Sequence, residues 1–178
     1  MNIIVASEVN YKIKYQYIYM NIRVGFGYDM HRFQEDRELW IGGIKIEHSQ
    51  GLAGHSDADV LIHAICDSLL GAANLRDIGY NFPDNDNAYQ NIDSKILLKQ
   101  TQQLLDTKGY SIGNIDATIC AENPKLNPHI QKMQEVLSTI LNIELDCISI
   151  KATTSEKMGF VGREEGVTAY AVALIQKH

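Results

Sequence analysis

The chain has 178 residues, 45% hydrophobic and 21% charged, with 13 Gly and only 3 Pro, which excludes disordered and collagen-like chains and predicts one globular domain. Its net charge of −6 comes from 16 Lys and Arg against 22 Asp and Glu, with the basic residues scattered, so no nucleic acid partner is expected. No segment reaches the roughly 18 apolar residues of a membrane span, and the most apolar one is interrupted by His63 and Asp67, which predicts a soluble protein with no membrane partner.

Residues 1–20 (MNIIVASEVNYKIKYQYIYM) have neither a signal-peptide nor a transit-peptide pattern and are set apart as an extension of unassigned role, before a single domain over 21–178. Ile22 to Tyr28 predicts a short strand, and Leu39 to Ile46 a strand pair or bulged strand pivoting on Gly42 and Gly43. Ser56, Asp57 and Asp59 offer N-cap chemistry to a helix ending near Leu70, with Val60, Leu61, Ala64, Ile65 and Leu69 as its apolar stripe. Asp77 to Asn87 is a long acidic loop, either a surface segment or a ligand-binding lid. An amphipathic helix over Ser94 to Lys108 closes on Gly109, Ile115, Ala117 and Ile119 alternate as a strand, and Pro128 to Leu141 is a further helix. Cys147 to Thr153 and Val167 to Leu174 are the closing strands. The fold class this order predicts is α/β (α+β), a mixed four- to five-stranded sheet covered on one face by helices.

Cys66, Cys120 and Cys147 lie in apolar runs without C-x-x-C spacing and read as buried thiols of a reducing compartment. The chemistry is sought elsewhere. Asp29 and His31, two residues apart at the end of the first strand, project to one side, because side chains alternate along extended chain. Asp59, His63 and Asp67 stand at i, i+4 and i+8 on one helix face, so His63 is available as a third ligand. Two imidazoles and a carboxylate form the donor set of a catalytic zinc with one open position, and would also suit iron. The competing reading makes Asp29 a turn cap and His63 a hydrogen-bonded, half-buried histidine.

His55 and Ser56 precede a helix N-terminus, which suits a phosphate, although simple capping by Ser56 is the stronger reading of the residues alone. Gly25-Phe26-Gly27 begins like a dinucleotide fingerprint, but position 30 is Met30 and no helix follows. Lys125 sits between Pro124 and Pro128, as a solvated loop lysine or a phosphate or base contact. Thr153, Thr154, Ser155 and Glu156 end a strand; Thr153 and Glu156 fit a capping box, and the hydroxyls with an acid fit phosphate and magnesium.

Taken together, GYDMHRF, GLAGHSDADVLIHAICDSLLGAA, DIGYNFPD, AENPKLNPHI and KATTSEKMGFVGREEG run in order from Ile22 to Leu174 and resemble the 2-C-methyl-D-erythritol 2,4-cyclodiphosphate synthase family. The resemblance implies Zn2+ held by Asp29, His31 and His63, and Mg2+ or Mn2+ at Glu156. It implies His55 and Thr154 as transition-state stabilisers, with His55 and Ser56 on the phosphorylated erythritol and Met30 beside the zinc ligands at the substrate. Asp77, Ile78 and Gly79, with Phe82, Pro83, Asp84, Asn85 and Asp86, match the loops over the methylerythritol. Ala121, Glu122, Asn123, Pro124, Lys125, Leu126 and Asn127 match the cytidine pocket, together with Ala152, Thr153, Thr154 and the neighbouring Ser155.

The implied reaction is intramolecular. The 2-phosphate of 4-diphosphocytidyl-2-C-methyl-D-erythritol 2-phosphate attacks the β-phosphorus and expels CMP, a step in the non-mevalonate route to isopentenyl diphosphate in a bacterial cytoplasm. Also implied are a homotrimer with active sites between subunits, and Phe160 and Arg163 beside an axial cavity that takes isoprenoid diphosphates. Two other readings stand beside this one: a metal-dependent phosphohydrolase, in which water attacks, and a trimeric binding protein without catalysis.

Overall fold

The computed structural model describes residues 21–83, 85, 86, 89 and 91–177; the predicted extension 1–20 and Asp84 lie outside these. β1 (Ile22–Gln34) is nearly twice the length of the predicted strand. Its polar C-terminal half, DMHRFQ, breaks the apolar pattern but still pairs with β7 (Gly166–Lys177), from Ile22 opposite Gln176 to Arg32 opposite Gly166. Asp29 and His31 therefore lie inside a strand, not at its end.

β2 (Leu39–Ile41) and β3 (Ile44–Ile46) form the predicted pair, joined by Gly42 and Gly43 at φ +63° and +76°. Two successive left-handed residues are what a tight hairpin of this length demands, and glycine adopts them without a Cβ clash. β4 (Gly51–Leu52) pairs with the end of β1. α1 (Val60–Ala72), the short α2 (Ile78–Asn81) inside the predicted acidic loop, and α3 (Ser94–Thr107) follow. β5 (Tyr110–Cys120), α4 (Ile130–Leu141), β6 (Ile148–Thr153) and the one-turn α5 (Gly159–Gly162) complete the chain before β7.

The result is a mixed five-stranded sheet in the order β4-β1-β7-β5-β6, with only the β5–β6 pair parallel, beside a separate two-stranded hairpin. Ten of the thirteen α1 residues are buried, so α1 is a core helix. It lies close against β1 and β7 because its side of the sheet is made of small residues. Gly25 and Gly27 of β1 face Ala173 and Ala171 of β7. A Cβ at Gly25 would meet Ser68 O at 1.9 Å, and one at Gly27 would meet Ala64 O at 1.9 Å. The glycines that look like a truncated nucleotide fingerprint are thus a helix-packing seam.

The opposite sheet face is apolar, and among the described residues no element covers it. Val24, Phe26, Tyr28 and Met30 of β1 and Tyr170 and Val172 of β7 are all exposed, Phe26 at 63%. Of the cysteines expected in the core, Cys66 alone is buried, with burial pushing its thiol up to about 12. Cys120 and Cys147 are half-buried because they sit on the outward side of β5 and in the turn before β6. Among the described residues, no helix is long and apolar enough to cross a membrane.

Candidate active site

Asp29 and His31 share the face of β1 that looks at α1, as strand alternation requires. His63 sits on the first turn of α1, so the strand and the helix meet at three ligating side chains. Asp29 Oδ2 is 2.9 Å from His31 Nε2 and 3.0 Å from His63 Nδ1, and the two imidazole nitrogens are 3.1 Å apart. Among the described residues this is the group able to hold a metal ion. Tetrahedral zinc with legs of about 2.0–2.1 Å needs ligand atoms roughly 3.3 Å apart, so the three donors stand nearly at coordination distance, and their N, N, O set fits a divalent ion. Burial opposes ionisation of Asp29, but hydrogen bonds from His31 and His63 outweigh it and hold the carboxyl well below its ordinary range. Burial would lower the pKa of His63, yet the Asp29 carboxylate more than offsets it and raises the imidazole above its usual 6.5.

The other two acids of the predicted helix stripe do different work. Asp59, fully buried, is the N-cap of α1, accepting from Ile62 N–H at 3.0 Å. It also accepts from Gly42 N–H at 2.9 Å and Gly43 N–H at 2.6 Å, pinning the hairpin to α1. Capping therefore falls to Asp59 and not to Ser56, whose hydroxyl accepts from Ala58 N–H at 3.0 Å one turn earlier. Asp67 Oδ1 accepts from Ile78 N–H at 2.7 Å and fixes the start of α2.

A cavity of about 200 Å³ opens on the metal-ligand group, lined by His31 and His63, by Gly54, His55 and Ser56, and by Ile78, Gly79 and Phe82, with Tyr89, Ile92 and Leu97. Arg37 shapes its rim by donating to the carbonyls of Gly54 at 2.8 Å and Ser56 at 2.5 Å. Asp77 caps α2 beside the cavity, accepting from Tyr80 N–H at 2.7 Å, while Pro83, Asn85 and Asp86 are not among the lining residues. Met30 lies on the other face of β1, where its sulfur meets the Tyr28 hydroxyl at 3.4 Å, so its side chain does not share this cavity.

A second cavity, about 210 Å³, is lined by Ala121, Pro124, Lys125, Leu126, Asn127, Ala152, Thr153 and Thr154 and shares no lining residue with the first. Asn123 is exposed and joined to Pro124 by a cis peptide. Glu122 is buried beneath the loop. Its Oε1 accepts from Ser155 N–H and Oγ, both at 3.1 Å, and from Lys157 N–H at 3.2 Å, and its Oε2 pairs with Lys157 Nζ at 3.0 Å. The sequence reading missed Lys157 as the partner of Glu122. The capping box expected of Thr153 and Glu156 does not form. Thr154 Oγ1 instead donates to Glu156 at 2.7 Å, and Glu156 and Lys157 take φ +53° and +64° in a turn. Phe160 is half-buried on α5, and Arg163 is tied to Glu165 by Nε at 2.7 Å and a second guanidinium nitrogen at 3.2 Å.

A strand and a helix thus bring Asp29, His31 and His63 together, and the two histidines open onto one cavity. The YgbB family model matches residues 22–176. The chain belongs to the YgbB family. Relatives of this family named 2-C-methyl-D-erythritol 2,4-cyclodiphosphate synthase include one from Bacteroides fragilis, 68% identical over 89% of this chain and 99% of its own length. Another, from Bacteroides thetaiotaomicron, is 66% identical over the same shares. Among solved structures, the bifunctional IspDF from Campylobacter jejuni matches with TM-score 0.86 and 40% identity over 89% of this chain; the chain spans 43% of that longer one. Plasmodium falciparum IspF in complex with CDP matches with TM-score 0.78 and 36% identity, over 90% of this chain and 99% of that one.

Proposed function

We infer that this chain carries the activity of its YgbB relatives, cyclising 4-diphosphocytidyl-2-C-methyl-D-erythritol 2-phosphate to 2-C-methyl-D-erythritol 2,4-cyclodiphosphate and CMP in the methylerythritol phosphate route to isopentenyl diphosphate. What carries this reading is the cluster of Asp29, His31 and His63, whose two imidazoles line the same cavity as His55 and Ser56. A 2-phosphate oxygen forms the new P–O bond at the β-phosphorus, and the bond to the α-phosphate breaks, leaving its electrons on CMP. No protein nucleophile is needed, so catalysis reduces to positioning and charge neutralisation.

Asp29, His31 and His63 would hold zinc, and Glu156 would hold magnesium or manganese together with phosphate oxygens. Bound there, such ions supply Lewis-acid neutralisation of phosphate charge. His55 and Ser56 bind and orient the erythritol phosphate, and the Thr154 hydroxyl, which donates to Glu156 in the free chain, turns its proton to the reacting phosphate once Glu156 is engaged by the ion. Ile78, Gly79 and Phe82, with Asp77 capping their turn, wall the methylerythritol away from water. The cavity between Ala121 and Asn127 on one side and Ala152 to Thr154 on the other takes the cytidine. Two solved relatives are complexes with CDP, which supports a cytidine nucleotide as ligand.

The domain runs over 21–178 and works as a homotrimer in the bacterial cytoplasm. The bare apolar sheet face and the disjoint cavities support this, since an active site completed between subunits needs its two halves on different surfaces. Phe160 and Arg163 border an axial site for an isoprenoid diphosphate, for which Arg163 exchanges its pairing with Glu165 for the diphosphate. Phosphorus NMR of the purified chain with substrate and magnesium, with and without chelator, tests the activity. A cyclic diphosphate and CMP, lost on chelation, are expected; a linear phosphate would mean hydrolysis, and intact substrate with a zinc-loaded trimer would mean a binding protein.

A further inference from the structure

His63 turns Nδ1 toward Asp29 and His31, and its other ring nitrogen is engaged too. Nε2 lies 3.0 Å from Ser94 Oγ and 3.2 Å from Ser56 Oγ. The Ser94 hydroxyl donates its own proton to Asp57 Oδ1, in a short hydrogen bond. A hydroxyl whose proton is given to a carboxylate can only accept from a facing imidazole, so the nitrogen that meets it must be the protonated one. Asp57 is itself held: its Oδ2 accepts from Ser94 N–H at 3.0 Å, and its N–H donates to Ile92 O at 3.2 Å. Ser94 is fully buried as the first residue of α3, so the start of one helix is docked against the ligand carried by another.

We propose that Ser94, backed by Asp57, is a positioning residue for the metal centre: it holds a proton on His63 Nε2 and fixes the ring, so that Nδ1, which faces Asp29 and His31, is the nitrogen offered to a metal. This rests on reading Asp29, His31 and His63 as a metal site. The chain of carboxylate, hydroxyl and imidazole has a general counterpart in metalloproteins, where the partner on the far ring nitrogen fixes the tautomer and ring orientation of a ligating histidine. Ser94 lines neither cavity, so its effect appears first in metal affinity. Ser56 contributes less to the tautomer, since it lies farther from Nε2 and its oxygen already accepts the Ala58 amide.

The test is zinc affinity of the full chain at fixed pH, by competition with a chelating fluorophore, for wild type, Ser94→Ala and Asp57→Asn. Wild type is expected to bind zinc, Ser94→Ala to bind it about 10–100-fold more weakly with unchanged circular dichroism, and Asp57→Asn to fall between. If wild type binds no zinc, the metal reading fails and this inference with it. If wild type binds and Ser94→Ala binds equally well, only the role of Ser94 is overturned. A second measurement avoids any folding defect in a variant: long-range proton–nitrogen spectra of zinc-loaded wild type should show His63 protonated on Nε2, and a proton on Nδ1 would overturn the proposal.

Discussion

Asp29 and His63 lie 34 positions apart in the sequence, and their Oδ2 and Nδ1 atoms stand 3.0 Å apart where β1 crosses α1. The contact joins the two elements that form the centre of the fold, so the proposed metal site and the core share one packing interface. His63→Ala removes a ligand while leaving Asp29 paired to His31 at 2.9 Å. Turnover should fall roughly 100-fold or more, since losing a direct ligand costs at least what losing an outer partner does. Bound zinc should fall with it while the far-ultraviolet spectrum stays unchanged; wild-type turnover in this variant would mean that the metal assignment is wrong.

The same interface explains a second expected loss. A methyl group at Gly27 would fall 1.9 Å from Ala64 O and 2.7 Å from Ser68 N, both helix backbone, so α1 has to move away as a unit. Gly27→Ala should destabilise the protein by about 1–3 kcal/mol or more by overpacking, lowering the melting temperature by roughly 2–4 °C per kcal/mol at this chain length. Because Ala64 is the neighbour of His63, zinc affinity should drop too. A melting temperature equal to wild type would show that the seam is not tight.

Much of this site is legible in the sequence because it follows from local periodicity. Asp29 and His31 share a face by the strand's period of two, and His63 interrupts an apolar helix. Asp59 is legible as a cap, but not as the acceptor for Gly42 and Gly43, because that contact depends on where the hairpin lands. Ser94 is 31 residues from His63, and in the sequence it resembles any serine at a helix start. Gly25 and Gly27 mislead for a related reason: their cause is the backbone of a helix that the local sequence does not contain. The length of β1 is hidden by charged residues whose strand conformation is imposed by pairing with β7.

The bare sheet face leads to a third prediction. Phe26 is 63% exposed and Val24 64%, beside Tyr170 and Val172, an amount of contiguous apolar side chain that a monomer seldom leaves in water. Phe26→Asp places a carboxylate at its centre. If the proposed trimer packs on this face, analytical ultracentrifugation should show a trimer for wild type and a monomer for the variant, with the variant inactive because the proposed site between subunits is then left half-built. A variant that remains trimeric would place the interface elsewhere.

Glu122 carries the pH dependence expected of the loop that presents Thr154 and Glu156. The ammonium of Lys157, its backbone N–H and the groups of Ser155 lower this carboxyl from 4.5 to about 2, against the opposing effect of burial. A carboxylate with a depressed folded-state pKa stabilises the fold fully above its unfolded value and loses that contribution as pH falls through the folded one. The contribution of Glu122 is therefore complete above about pH 5 and fades between 4.5 and 2. On the alkaline side, the carboxylate raises Lys157 above its ordinary 10.5, so the pair persists until pH passes that range. Glu122→Gln removes the charge and turns an amide toward the ammonium. Its melting temperature should lie below wild type at pH 7, with the gap narrowing as pH falls from 4.5, and its turnover should drop about tenfold as Thr154 and Glu156 lose their support. A gap that stays constant down to pH 3 would show that the loop is held by something other than this ion pair.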